Sequence, residues 1–276
     1  MLERRISRLS VSQKILPLTS LLGAEFVKAW LEAVKRMSNT LSSPVLLTTL
    51  QPWVVHALLW SRDIEYGDPN LSNVMYDQGL KCGVLIDYDL SISRQQPGTD
   101  TGSIPFMAID LLTDKYWNGE IVRLYRHGFE AFLWMLPFVF LRYQDRKSQR
   151  GTPVDVWMTS NYITCAEKKS RFGLIDRLKK NGKMCQMDFR DHWPLVEGLL
   201  FWWNSWLGHA QFSQFMRGEP YADVGNSIPP LWPLFVARLR LVAKKFSLGL
   251  GYMDALIDDL ELEEPFWVCP CFQSIV

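Results

Sequence analysis

An excess of charge of either sign is missing from this chain: 30 basic and 29 acidic residues leave a formal net charge of +1 at pH 7. Nucleic acid and an anionic membrane surface are therefore not expected as partners. Cysteine is scarce as well. Cys82, Cys165, Cys185, Cys269 and Cys271 are odd in number and scattered, which excludes a secreted disulfide framework and points to a reducing, intracellular compartment, cytoplasm or nucleus. Cys269-Pro270-Cys271 has no second pair to complete a metal site, and neither cysteine stands fourth from the end as prenylation requires. No long apolar run is present either. The most apolar stretch, Phe129 to Leu141, is 13 residues long and contains Glu130 and Pro137, too short for a bilayer and suited to a buried core helix. Near the start, Arg8, Ser10, Ser12 and Gln13 interrupt any apolar segment of the kind a secretory signal needs, so no export signal is expected.

What is there is hydrophobic residue, 48% of the chain, enough for a large core. Phe26, Val27, Trp30, Leu31 and Val34 recur at helical spacing, with Glu25, Lys28, Glu32 and Lys35 opposite, predicting an amphipathic helix over Gly23 to Lys35. Met37 to Gln51 has Pro44 and no steady period, and reads as an insertion before a second helical stretch, Trp53 to Trp60. Val74-Met75-Tyr76 and Gly83-Val84-Leu85-Ile86 flank Asp77-Gln78-Gly79, a short β-hairpin. From Asp110 onward the pattern is mostly α, with helices over Phe129 to Tyr143, Leu195 to Leu207, Leu231 to Phe246 and Tyr252 to Leu262, and polar connections between them. Arg238, Arg240, Lys244 and Lys245 alternate with apolar residues and fit a solvated face. Trp202, Trp203 and Trp206 are expected in the core.

The chemistry sits around the hairpin. Tyr66-Gly67-Asp68-Pro69-Asn70-Leu71-Ser72-Asn73 places an aspartate five residues before an asparagine, and Ile86-Asp87-Tyr88-Asp89 follows on the second strand. Phosphoryl transfer needs a carboxylate near the attacking hydroxyl and oxygen ligands for Mg²⁺ across the phosphates. Asp68, Asn73 and Asp87 can supply these, since a hairpin of this length folds the third residue back beside the first two. Downstream lies Thr101-Gly102-Ser103-Ile104-Pro105-Phe106-Met107-Ala108-Ile109-Asp110, then Arg126-His127-Gly128-Phe129-Glu130-Ala131-Phe132-Leu133-Trp134.

In this wording and order, residues from about Gly23 to Tyr143 resemble the fungal-type protein kinase family. The resemblance implies the mostly α carboxy-terminal lobe of a protein-kinase-like fold, carrying a catalytic-loop β-hairpin. It implies, for a full-length form, transfer of the ATP γ-phosphate to Ser/Thr hydroxyls of a protein substrate, with Mg²⁺ and ATP as that form's cofactors. Asp68 is then the catalytic base, Asn73 and Asp87 hold Mg²⁺ and nucleotide, Gly102, Ser103, Pro105 and Phe106 dock the peptide, and Asp110, His127 and Glu130 are structural. By the same resemblance, residues 1–22 are a remnant of the amino-lobe's last strand and hinge, 23–143 the lobe core, and 144–276 the remaining helices and tail. The family's His-Arg-Asp is here Tyr66-Gly67-Asp68, its basic residue two positions on is Asn70, and its aspartate after the histidine is Gly128. No Gly-rich loop or Val-Ala-Ile-Lys strand precedes Gly23, so weak nucleotide binding is expected. Two alternatives stay open: a pseudokinase or truncated binding module, and a small-molecule phosphotransferase of the aminoglycoside or choline kinase type. Gly102 to Leu112 has no counterpart of this form in the latter.

Overall fold

The computed structural model describes residues 15–38, 64–66, 68–87, 91–93, 103–217 and 228–246, and within them the protein is mostly α. Helix α1 (Gly23–Ser38) follows the periodicity of its sequence. Phe26, Val27, Trp30, Leu31 and Val34 are all buried, while Glu25 and Lys28 face solvent. The helix continues through Met37 and Ser38, into the start of the segment expected as an insertion. The rest of that segment, and Trp53 to Trp60, lie outside the described residues, as does Tyr252 to Leu262.

Three antiparallel strands flank α1. β1 (Ile15–Pro17) pairs with β3 (Val74–Asp77), which pairs in turn with β4 (Cys82–Leu85). The β3–β4 register sets Val74 opposite Leu85 and Asp77 opposite Cys82, so the hairpin is the expected one with a longer turn. Asp77 Oδ1 accepts from the amides of Gly79 and Leu80 at 2.8 and 3.0 Å, an Asx-type closure, and Lys81 takes a positive φ of 52°. A separate pair joins β2 (Ile64–Tyr66) to β5 (Ser91–Ser93), and β6 (Tyr143–Gln144) pairs with β7 (Lys147–Ser148).

After the short α2 (Asp114–Trp117) comes α3 (Tyr125–Arg142), the helix foreseen from Phe129 but beginning four residues earlier. All of α3 except Gly128 and Arg142 is buried. It has no solvent face because elements surround it: α1 and, further along, α6 (Trp193–Arg217). α6 packs in turn on α7 (Ile228–Lys245). Trp30 of α1 is fully buried and donates its indole N–H to the Phe132 carbonyl at 3.0 Å. Phe129 meets Trp203 of α6 and Phe235 of α7, with centroids at 5.5 and 4.9 Å. Trp202 and Trp203 are core residues as expected, and on α7 Arg240, Lys244 and Lys245 are exposed while Arg238 is half-buried. Among the described residues no helix is long and apolar enough to cross a membrane.

The polar stretch between α3 and α6, read from sequence as connections, contains two helices, α4 (Tyr162–Phe172) and α5 (Ile175–Gly182). Each offers the core only a narrow face: Cys165, Lys169 and Phe172 in α4, Leu178 in α5. So few buried positions among Lys and Arg leave little apolar period to detect.

The backbones of α1 and β4 approach closely at Gly83. A Cβ on Gly83 would stand 1.8 Å from the Ala29 carbonyl oxygen, and the Gly83 amide donates to Glu32 Oε2 at 3.0 Å. Backbone rather than a flexible side chain occupies that space, so an added methyl must push the hairpin off the helix. Gly83→Ala is expected to cost about 2 kcal/mol or more, read as a lowered midpoint in urea denaturation. An unchanged midpoint would show that α1 and β4 do not pack this closely.

Candidate functional site

The site is assembled by the hairpin. β2 leads into the loop that begins at Asp68, and β5 follows Asp87, so pairing β2 with β5 sets the entry and exit of the hairpin side by side. Between them the Ile86 amide donates to the Asn73 carbonyl at 2.9 Å. This continues the β3–β4 ladder by one step and brings the Asp87 backbone to the end of the Asp68 loop, as the spacing predicts. Asp87 is exposed and holds a φ of +60°. For a non-glycine residue that conformation is uncommon and is retained where surrounding structure enforces it.

The loop itself is organised by Asn70, a residue which sequence reasoning noted only as a departure. Its side chain is 4% exposed. Oδ1 accepts from the amides of Ser72 and Asn73 at 2.7 and 3.2 Å and from Ser72 Oγ at 2.5 Å, while Nδ2 donates to Asp68 Oδ2 at 2.6 Å. The signal for this was present, since asparagine commonly closes a turn on the amides that follow it. Asn73, also buried, donates Nδ2 to the Asp68 carbonyl at 2.9 Å. Because its NH₂ group points at the loop, its Oδ1 is left on the other side of the amide. An amide oxygen there and the carboxylate of Asp87 are hard oxygen donors of the kind Mg²⁺ takes, so the residues present fit that ion.

Ser103 reaches the loop from 35 residues away. Its amide donates to Asp68 Oδ1 at 2.8 Å, and its hydroxyl lies 3.4 Å from Oδ2. The segment then turns, with the amides of Phe106 and Met107 both donating to the Ser103 carbonyl at 2.8 and 3.2 Å. Pro105 is half-buried and Gly102 lies outside the described residues. Phe106, which the resemblance assigns to peptide docking, is 7% exposed and packs edge-on against Phe138 at 5.0 Å. An exposed phenyl ring loses the burial that this pocket in the core supplies.

Beyond the turn, the three residues expected to be structural meet one another. Glu130 Oε1 accepts from the Ile109 amide and the Trp134 indole, each at 2.9 Å. Asp110 pairs with Arg126 at 2.6 Å and stands 3.9 Å from His127 Nε2. Arg126, 1% exposed, was not assigned a role from sequence, where nothing connects it with an aspartate 16 residues earlier. His127 Nδ1 accepts from the Leu124 amide at 2.9 Å, satisfying a donor at the start of α3. Burial pushes the His127 imidazole down to about 4 and holds the Glu130 carboxyl above its usual range, with Asp110 adding to the latter.

With that geometry in place, comparison with protein families identifies the segment. Residues 34–140 match the fungal protein kinase family. The matched span begins inside α1 and ends inside α3, so it contains the Asp68 loop, the hairpin, Asp87 and the segment from Ser103 to Asp110. A search among curated proteins returned no match. The fungal protein kinase match thus covers every residue of the candidate site and stops short of α4, α5, α6 and α7.

The His127 environment carries a pH dependence. The unfolded ring takes up a proton near its ordinary 6.5, whereas the folded ring refuses it until about pH 4. Stability is therefore unaffected above that window and falls through it as pH is lowered, by about 3 kcal/mol at its lower end. His192, also pushed down by burial, acts in the same direction, and Glu130, with its raised pKa, acts in the opposite one. Comparing the wild type with His127→Asn isolates the ring. Denaturation curves between pH 7 and 4 should show the wild type losing about 3 kcal/mol more than the variant. Parallel losses would mean that the ring is not held neutral.

Proposed function

We propose that this protein transfers the γ-phosphate of ATP to serine or threonine hydroxyls of a protein substrate, with Asp68 as the general base. The observation that carries the reading is the meeting of Asp68 with Ser103. A carboxylate and a segment 35 residues downstream are hydrogen-bonded at the start of a loop that ends at Asn73, whose carbonyl accepts from Ile86, the residue before Asp87. The fungal protein kinase match over the same residues favours this over a small-molecule phosphotransferase.

In this reading an acceptor hydroxyl docks along the segment from Ser103, beside Asp68. As its oxygen bonds to the γ-phosphorus, the bond to the leaving β-phosphate oxygen breaks and Asp68 takes the hydroxyl proton. The Ser103 amide and the Asn70 amide group fix the Asp68 carboxylate in orientation, and Asn73 fixes its backbone. Asn73 and Asp87 would hold Mg²⁺, whose charge would offset that of the phosphates. The buried thiols of Cys82, Cys165 and Cys185 suit a reducing, intracellular setting.

Asn70 favours a second reading, in which the lobe binds protein partners without transferring phosphate. Where the family commonly places a cation, this chain has a neutral side chain fully committed to the loop. One experiment separates the two. With radiolabelled MgATP and a mixed protein substrate, Asp68→Asn should lower transfer by about 10²- to 10⁴-fold, with circular dichroism unchanged. A wild type no faster than Asp68→Asn would replace the first reading with the second.

A further inference from the structure

Lys169 is 0% exposed. Its neighbours Lys168 and Arg171 face solvent, but Lys169 shares a face of α4 with Cys165 and Phe172, four positions before and three after, both buried. Its ammonium lies over the Trp134 ring at 4.7 Å and the Trp157 ring at 6.0 Å, and donates to the Met107 carbonyl at 2.5 Å. Placing a charge here costs several kcal/mol in lost hydration, of order that found for other buried ions. Cation–π contact and one hydrogen bond offset part of it. A methionine fills a similar volume without that cost, so packing alone does not account for a lysine at this position.

What the amine adds is directed at the docking segment. Lys169 takes the carbonyl of Met107, and Glu130, fully buried on a different helix, takes the amide of Ile109. Between these two sits Ala108, 0% exposed. One turn earlier on α4, Cys165 Sγ approaches the Ile104 carbonyl at 3.7 Å. Upstream, the Met107 amide is bonded to Ser103, and Ser103 to Asp68. A continuous set of hydrogen bonds therefore runs from Lys169 to the proposed base.

We infer that Lys169, with Glu130, is a positioning residue: the two form a buried clamp, one donor and one acceptor, that sets the segment from Ser103 to Ile109 at the height where Ser103 meets Asp68 and an acceptor peptide docks. This rests on the proposed phosphotransfer for its consequence, but the clamp itself is a claim about the segment. Lys169 touches no reacting atom and acts through the Met107 backbone. It lies outside the span matched by the fungal protein kinase family.

The full chain with Lys169→Met tests it by amide hydrogen exchange and steady-state kinetics. Removing a hydrogen bond from a charged donor should speed exchange in peptides covering 103–112 by about tenfold or more, with the interior of α3 unchanged. For phosphate transfer, KM for the protein substrate should rise by about tenfold, while KM for MgATP stays the same. If Lys169→Met fails to fold, the double variant K169M/E130Q removes the uncompensated carboxylate, keeps an oxygen to accept from Ile109, and should show the same local exchange. Unchanged exchange over 103–112 would overturn the clamp, as would a rise of equal size in α3, which would make Lys169 a support of the whole fold. Faster local exchange in a protein whose wild type transfers no phosphate would keep the clamp and reject the Asp68 reading.

Discussion

Burying α3 on every side is the constraint from which the other features follow. A helix with one apolar stripe leaves its opposite face to water, but from Tyr125 to Leu141 this one leaves almost nothing exposed. Such a helix needs neighbours all round, and α1, α6 and the turns near Asp155 and Phe189 supply them. The aromatic contacts Phe129–Trp203, Trp134–Trp157 and Phe26–Phe140 are the substance of that packing. At about 25 cal/mol for each Å² of apolar surface removed from water, rings of this size dominate the stability of the lobe.

The same constraint creates a problem that the site then uses. Arg126, His127 and Glu130 lie in the first turns of α3 and are as buried as the rings around them. Buried polar groups must find partners. They find them on the chain that passes over the start of the helix: Asp110 for Arg126, the Leu124 amide for His127, the Ile109 amide for Glu130. Removing one partner of a buried ion pair costs about 3–5 kcal/mol, so the segment cannot leave α3 without a large penalty. Because Ser103 is tied to that segment by the turn at Phe106, the position of Asp68's hydrogen-bond partner is inherited from the core.

Much of this was legible in the residues, and what was not has physical reasons. The hairpin, α1 and α3 all follow from alternation, helical period and turn residues, which are local properties. The place of Phe106 in a motif suggests docking, while its burial depends on Phe138, 32 positions away. Arg126 and Lys169 show the same limit from the other side. Each looks like a surface cation in sequence, and only tertiary contact reveals a carboxylate or a carbonyl inside the core waiting for it. α4 was missed because three buried residues in eleven, one of them a lysine, do not make an apolar stripe. Asn70 was readable as a turn-former, but its bond to Asp68 was hidden behind the expectation of a cation at that place.

Division of labour along the chain follows from these contacts. The residues proposed to carry the chemistry, Asp68, Asn73 and Asp87, come from a loop and a hairpin within a stretch of twenty residues, where short-range geometry governs their placement. Holding the segment from Ser103 to Ile109 is different, because a segment whose own residues form little regular structure must borrow its rigidity from elements on both sides. α3 supplies one side through Glu130 and Arg126. α4 supplies the other through Cys165 and Lys169, and α4 is itself fixed by Phe172 against Trp157, and Trp157 against Trp134 of α3. The part of the chain after residue 140 is therefore coupled to the site by backbone hydrogen bonds and an aromatic stack.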